Sequence, residues 1–555
     1  MAVDRLAAGR WEIFLRSGYS WRELDKETAA FILFLVFMAV YYGWRMFALT
    51  PWYDELYTYY YFISRGPVYA AIHWPLPNNH IGYSVLSACL GVFGNAALAL
   101  RGISYLSSLG SLVFLFLISR KCFGRGLALV PVFLYTGMKL TNQLAVQGRG
   151  YAFVTLCYLT AVYELLLIVV EHQGRIRNYL LFGISLIAAL YAVPSSVYVV
   201  IPVCLTGGIV LLLQGEYRRL VQLIVAAVIS AVCTVCLYAI VWLAIGSNLL
   251  VKTEGSVYYG MRHAAVLLQA PFTALRTGIE YMLATPYIQS VGRERYFEKF
   301  AVWMKNLLNE YYSGSAGILA VLLVLCAVAA AGRIGKNLKG GRYRSREQEP
   351  DHGKFMDVYL AVSIVCIPLM LILQSSLPYY RVFSFAGVVA AYGVVWLLHM
   401  VTEWLQRRNV VHDSFSTGIW KYVYGTTAVI CAILCLALLL SPAYTAQYSD
   451  REAAIEDALE QIDWTTVNKA AVTDCDQEYL LLFLYDMDET RITRQPEEAD
   501  VVLADRYLLL GQETDTLEAT GDMWKLYMTG QEFVQFVEKA ELKPVYENNR
   551  FVLFQ

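Results

Sequence analysis

Two adjacent carboxylates, Asp54 and Glu55, stand in the stretch Pro51-Trp52-Tyr53-Asp54-Glu55-Leu56-Tyr57. They follow a run from Phe31 to Phe47 that is almost wholly apolar apart from Arg45. With its flanks that run has the length of a membrane-crossing helix, and paired charges at its mouth are costly, so they mark chemistry or ion binding rather than architecture. A carboxylate set beside an aromatic wall suits a general base. Adjacent residues on a helix point about 100° apart, so one of the pair faces a substrate while the other holds the loop. We assign Asp54 the role of base and Glu55 that of second, supporting carboxylate. The structural alternative for Asp54, N-capping of a helix over 55–63, is compatible with the first role.

Three further groups fall at what look like membrane edges. Pro77-Asn78-Asn79-His80 precedes the next apolar stretch, which makes His80 a candidate substrate contact. Gln147-Gly148-Arg149-Gly150-Tyr151 opens a later span. Its glycines do not form a dinucleotide loop, since no strand–helix unit surrounds them. Arg149 is the informative residue, because a guanidinium binds phosphate through two parallel hydrogen bonds. Leu377-Pro378-Tyr379-Tyr380-Arg381 repeats the Tyr/Arg combination, making Tyr380 and Arg381 candidates beside Arg149 and Tyr151. Each also has an interfacial reading, with Tyr and Trp in a headgroup belt and Arg snorkelling to the surface. No Walker A, HExxH, GxSxG, kinase or cysteine-rich zinc pattern occurs.

The elements that must position these residues follow from composition. Of 555 residues, 58% are hydrophobic and 16% charged, against roughly 25% charged in soluble domains. Long apolar runs recur from about residue 28 to residue 441 and then stop. The chain reads as an all-α polytopic membrane protein of about 11–13 transmembrane helices with a small C-terminal α/β domain. A net charge of −1 gives no sign of a nucleic-acid partner. Most of the 11 cysteines lie in apolar stretches and behave there as small hydrophobes, so neither a disulfide framework nor a metal site is expected.

Cytoplasmic loops carry excess Lys and Arg. That rule puts segment 1–27, with Arg5, Arg10, Arg16, Arg22 and Lys26, inside as part of a retained signal anchor. It also puts 171–178, 214–219, 333–354 and 403–421 inside. The transmembrane domain then covers 28–444, with external loops 50–80 and 246–312, and 193–196 and 374–381 on the same side. Residues 445–555 form an extracytoplasmic α/β domain, with helices over 450–462, 478–485 and 530–540, strands over 469–473 and 499–503, and a terminal hairpin over 545–554. Residues 81–143 hold three apolar stretches between two external loops. Either one of them is re-entrant or the loop around 147–149 lies inside.

The Asp-Glu pair in the first external loop, Pro/Asn/His before the second apolar stretch, and Arg-x-Tyr opening a later span together resemble the GT-C glycosyltransferase superfamily. The likeness is to the protein O-mannosyltransferase-like group (glycosyltransferase family 39) and bacterial relatives acting on cell-envelope acceptors. It covers roughly residues 28–400, and Pro77-Asn78-Asn79-His80 departs from the His-Pro-Pro that the group often shows. The resemblance implies an inverting hexosyl or pentosyl transferase in a bacterial plasma membrane, with its site on the extracytoplasmic face. Its donor would be a polyprenyl-phosphate sugar, its acceptor a glycan, lipid or protein of the envelope, and its surroundings membrane lipid. Asp54 would take the acceptor proton, and Arg149 and Arg381 would face the lipid phosphate, with Tyr151 or Tyr380 donating hydrogen bonds. Some members use a divalent metal. With one Asp-Glu pair and no second carboxylate cluster, a reaction with no cofactor and no metal ligands is expected. The competing reading, a transporter or flippase of lipid-linked sugars, calls for mid-span charges and an internal repeat, and neither is evident.

Overall fold

A computed structural model of the chain describes residues 25–73, 79–284, 291–341, 343, 351–407, 413–515 and 526–555. Residues 1–24 of the expected cytoplasmic segment 1–27, Pro77-Asn78 of the first loop, and 342 and 344–350 of the basic loop 333–354 lie outside the described residues. Among those described, nine helices are long and apolar enough to cross a membrane, and the protein is integral to one.

Helix α1 (Lys26–Ala48) starts at the N-cap Asp25, whose carboxylate accepts from Thr28 N at 2.9 Å. It ends beside the Asp-Glu pair, which sits on the six-residue helix α2 (Tyr53–Thr58) and its π-helical continuation Tyr59–Ile63. The N-cap of α2 is Trp52. Asp54 therefore lies within the first turn and is not the cap expected from sequence, because the chain turns helical one residue before it.

After the short α3 (Pro67–Ile72), helix α4 (Ile81–Leu90) begins at His80 and stays at this end. Helix α5 (Ala96–Phe123) starts from the same end, where its Arg101 reaches Glu55. The chain then returns as a broken pair, α6 (Leu129–Thr136) and α7 (Lys139–Leu144), interrupted at Gly137-Met138. Gly126 N binds Glu27 Oε1 at one end of this return and Gly148 N binds Glu55 Oε1 at the other. The parity left open in the sequence is thereby resolved: 81–93 does not cross, and the loop at 147–149 shares the end of Asp54.

Helices α8 (Tyr151–Val169), α9 (Ile176–Ala192), α10 (Val197–Gln214) and α11 (Tyr217–Lys252) then alternate in direction. Helix α11 runs through Gly246 to Lys252, so the expected loop 246–312 starts later and is itself helical: α12 (His263–Gln269), α13 (Pro271–Ala284) and α14 (Tyr296–Tyr311). Helices α15 (Ala316–Lys339), α16 (His352–Gln374), α17 (Ala386–Arg407) and α18 (Asp413–Leu439) complete the bundle. With α9 and the α6–α7 pair counted, the described helices make eleven passes. The chain emerges at the end bearing Asp54.

The short helix α19 (Pro442–Thr445) leads into the C-terminal domain: α20 (Asp450–Leu459), β1 (Ala470–Val472), α21 (Cys475–Tyr485), β2 (Ile492–Thr493), β3 (Val501–Asp505), α22 (Gly530–Ala540), β4 (Pro544–Glu547) and β5 (Phe551–Phe554). The sheet order is β2-β1-β3-β5-β4, parallel across β2, β1 and β3 and antiparallel across β3, β5 and β4. Both faces are covered, with Val472 and Leu503 packing towards α20 and α21 and Ala471 and Val502 towards α22. That is why β1 and β3 read as continuous apolar runs rather than alternating ones. Helix α21 starts three residues before its expected position, because Asp474 caps it by accepting from Asp476 N and Gln477 N.

Candidate functional site

The two carboxylates of α2 face different surroundings. Glu55 is fully buried. Its Oε1 accepts from Arg101 Nε at 2.8 Å and Gly148 N at 2.6 Å, and its Oε2 from Arg101 Nη2 at 2.9 Å and Trp52 N at 3.1 Å. Arg101 donates further to Met46 O at 3.0 Å and Leu49 O at 2.6 Å, carbonyls left over at the end of α1. Glu55 thus ties α1, α2, α5 and the loop before α8 into one knot, and all its accepting capacity is taken up. Gly148 is required there: a Cβ would lie 2.5 Å from Leu100 Cδ1 and 3.0 Å from Glu55 Oε1.

Asp54 is partly buried, with some of its side chain still accessible. Its Oδ2 lies 2.9 Å from Arg381 Nη1, with 18% of the Asp54 side chain and 17% of the Arg381 side chain accessible. Arg381 sits on the 3-10 turn Tyr380–Phe383. Its guanidinium is sandwiched over the rings of Trp52 at 5.1 Å and Tyr379 at 4.7 Å from their centroids. The stacking restricts the guanidinium while leaving its edge directed at the carboxylate.

Behind this pair lies Arg149, 1% exposed. Its Nη1 donates to Thr58 Oγ1 at 2.7 Å and to Asp54 O at 3.3 Å, and its Nη2 lies 3.4 Å from His80 Nε2. His80 Nδ1 accepts from Gly150 N at 2.9 Å, which fixes the tautomer with hydrogen on Nε2. Burial, followed by the charges of Arg149 and Arg381, holds the pKa of His80 well below its ordinary value, so the ring is neutral at neutral pH. An N–H of His80 and an N–H of Arg149 therefore face one another as two donors. Tyr151 packs edge-on against His80, with centroids 5.0 Å apart.

Of the residues singled out from sequence, Asp54, His80, Arg149, Tyr151 and Arg381 meet around one spot, and Glu55 supports it from beneath. The ring of Tyr380 turns to Trp303 of α14, 5.6 Å between centroids, and it is Tyr379 that lies under Arg381. Arg101 and Thr58 were not anticipated. A visible signal did exist for Arg101, an arginine inside the apolar stretch Leu98-Ala99-Leu100-Arg101-Gly102-Ile103, since a buried charge in a span always has a partner.

No group of three or more His, Cys, Asp or Glu side chains converges among the described residues. Glu55 is saturated by Arg101 and backbone N–H groups, and Asp54 faces a guanidinium. On the far side of the Arg381 turn, an apolar cavity of about 470 Å³ opens between α14, α15, α16 and α17, lined among others by Trp303, Leu308, Tyr311, Ile367, Phe383 and Val389.

Residues 82–248 match the family model described as dolichyl-phosphate-mannose-protein mannosyltransferase. This bears out the resemblance drawn from the sequence and supports a membrane glycosyltransferase of the GT-C class. The matched segment holds Arg101, Arg149 and Tyr151 but neither Asp54 nor Arg381. Among solved structures, the chain is similar to the oligosaccharyltransferase of Archaeoglobus fulgidus in its apo form, at 12% identity, over 89% of this chain and 71% of that one, with a TM-score of 0.43. It is also similar to ArnT from Cupriavidus metallidurans bound to undecaprenyl phosphate, at 14% identity, over 95% and 98% of the two chains, with a TM-score of 0.43. No curated protein sequence matches the chain.

Proposed function

We propose that this protein is an inverting glycosyltransferase that moves a sugar from a polyprenyl-phosphate donor to a glycan, lipid or protein acceptor on the extracytoplasmic face. The observation that carries the reading is the pairing of one accessible carboxylate, Asp54, with Arg381 in front of a buried Arg149–His80 donor pair. The reading also fits the charge rule, because among the described residues Arg120, Lys121 and Arg333 lie at the other end of the bundle from Asp54.

The chemistry follows from charge. Asp54 takes the proton from an acceptor hydroxyl as its oxygen attacks the anomeric carbon through an oxocarbenium-like transition state. The bond from that carbon to the phosphate oxygen breaks, and the oxygen keeps the electron pair. A singly charged phosphodiester thereby becomes a doubly charged monoester. Fixed donors aimed at that growing charge lower the barrier more than they stabilise the ground state. Arg381 and Arg149 supply them, with His80 Nε2–H as a neutral third. The bond to phosphate draws Arg381 off Asp54, which leaves the carboxylate turned to the acceptor. The apolar cavity beside the Arg381 turn offers the isoprenoid chain a dry place next to its phosphate. With Glu55 saturated by Arg101 and amide donors and Asp54 serving as base, the proposed reaction runs on protein side chains without a metal.

Asp54→Asn tests the assignment, since it keeps the shape and removes the base. Transfer of the lipid-linked sugar should fall by about 10²–10⁴ in kcat, the usual worth of a positioned base, with yield and thermal unfolding unchanged. Wild-type turnover in that variant would sink the proposal.

A further inference from the structure

We infer that Glu452 of the C-terminal domain is a positioning residue for Asp54: its carboxylate caps, from outside, the short helix on which Asp54 rides. The inference rests on the reading of Asp54 as the base.

A helix of six residues has little stability of its own, and its first N–H groups need acceptors. The N-cap of α2 is Trp52, whose side chain has no acceptor to offer. Two carboxylates substitute for one. Glu55 reaches back to Trp52 N, and Glu452 Oε1 accepts from Tyr53 N at 3.0 Å. Glu452 is 2% exposed, and the residue before it fixes its place. Arg451 pairs with Asp474 Oδ2 at 2.7 Å and with Asp476, which bind α20 to the start of α21. The same segment grips the chain just ahead of the helix, where Gln447 Oε1 accepts from Thr50 N at 2.9 Å and Glu456 from the Thr50 hydroxyl.

The remaining contacts set the roll of the helix. Leu56 is fully buried in the apolar core of the C-terminal domain, with Ile455, Leu459 and Leu480. Tyr60 stacks on Tyr479, with centroids 5.1 Å apart and planes 17° apart. Helix α2 is therefore held by Glu55 on the membrane-domain side and by Glu452 on the C-terminal side. Asp54 occupies the sector between them, facing Arg381. Loss of the Glu452 contact frees the N-terminal turn and lets Asp54 swing, while the phosphate-facing Arg149 and His80 keep their own anchors. Such a residue acts on turnover rather than on donor affinity.

The test uses the full-length enzyme, the lipid-linked sugar accumulated in a deletion strain, and membranes of that strain as acceptor. Glu452→Ala should lower kcat tenfold or more with the donor KM changed less than twofold, and should speed hydrogen exchange of amides 53–58 while strands 470–472 and 501–505 keep their protection. Glu452→Gln retains an acceptor oxygen at the same place and should rescue both. Glu452→Asp, one methylene shorter, should behave as the alanine variant does. Wild-type kcat in Glu452→Ala, or equal impairment of Glu452→Gln, overturns the inference and leaves the role of Asp54 standing. Should Glu452→Ala lose strand protection as well, the Gln and Asp variants decide: rescue by Gln with loss in Asp supports positioning, and wild-type kcat in Asp refutes it. Activity in Asp54→Asn is the separate result that would remove the underlying reading.

Discussion

Two buried charge clusters lie on either side of helix α2, and they are unbalanced in opposite senses. On the membrane-domain side stand Arg101, Arg149 and Arg381 against Glu55 and Asp54. On the C-terminal side stand Glu452, Asp474, Asp476 and Asp505 against Arg451 and Arg550. The difference lies in how each surplus is met. A carboxylate takes up a proton, so surplus negative charge is settled within the protein. Burial raises the pKa of both Glu452 and Asp476, and for Asp476 the charge of Glu452 adds to it. A guanidinium does not release its proton in a protein, so the surplus positive charge stays, and under the proposed function it is what the lipid phosphate meets. The C-terminal cluster is built as structure, and the membrane-domain cluster is the one suited to receive an anion.

The comparison breaks most severely at Glu55. Glu55→Ala leaves Arg101 buried without its partner, and stranding one member of a buried pair costs about 3–5 kcal/mol. The expected outcome is a sharp fall in folded yield and in thermal unfolding temperature. An intact, active Glu55→Ala protein would show that the knot at α1, α2 and α5 is dispensable. A smaller effect, confined to catalysis, is expected at the receptor side. On the proposed mechanism Arg381→Ala removes one donor to the leaving phosphate and should cost about 10²–10³ in kcat, with folding preserved. Unchanged kcat and donor KM would take Arg381 out of the site.

The smallest effect is expected in the acidic cluster. The pKa of Asp476 is raised above its ordinary 3.8, chiefly by burial. A group raised on folding contributes stability that is complete below the unfolded pKa and is lost as pH climbs through the folded one. The C-terminal domain should therefore weaken as pH rises above about 3.8, and Asp476→Asn should flatten that dependence. Hydrogen exchange of strands 470–472 and 501–505 at several pH values checks it, and equal slopes in the two proteins would show that Asp476 is not the titrating group.

Much of this was legible in the residues. Apolar runs announced the spans, the change of composition after Ser441 announced the C-terminal domain, and Asp54, His80, Arg149 and Arg381 were each noticeable as polar groups at the edge of an apolar run. The partnership of Asp54 with Arg381 was not legible, since 327 positions separate them and no local rule joins such residues. The division of the Asp-Glu pair into a base and a supporting carboxylate was read from the sequence, but the partners of each were not. Sequence gives two adjacent carboxylates pointing in different directions, and Arg101 with the N–H groups of Gly148 and Trp52 saturates Glu55. The broken pair α6–α7 escaped for a related reason, because an apolar stretch of the same composition serves a crossing or a surface helix alike.

By itself, then, the chain determined which segments enter lipid, because transfer of apolar side chains from water depends on composition and length alone. It also determined which residues carry charge to the membrane edge. Only the tertiary structure decided what those charges do. Glu55 met a guanidinium and became a fastening, Asp54 met a half-open cleft and stayed available, and Glu452, in a domain of unremarked sequence, came to hold the helix between them. A charge takes its role from its neighbours in space, and those were set by the packing of the membrane helices against one small sheet domain.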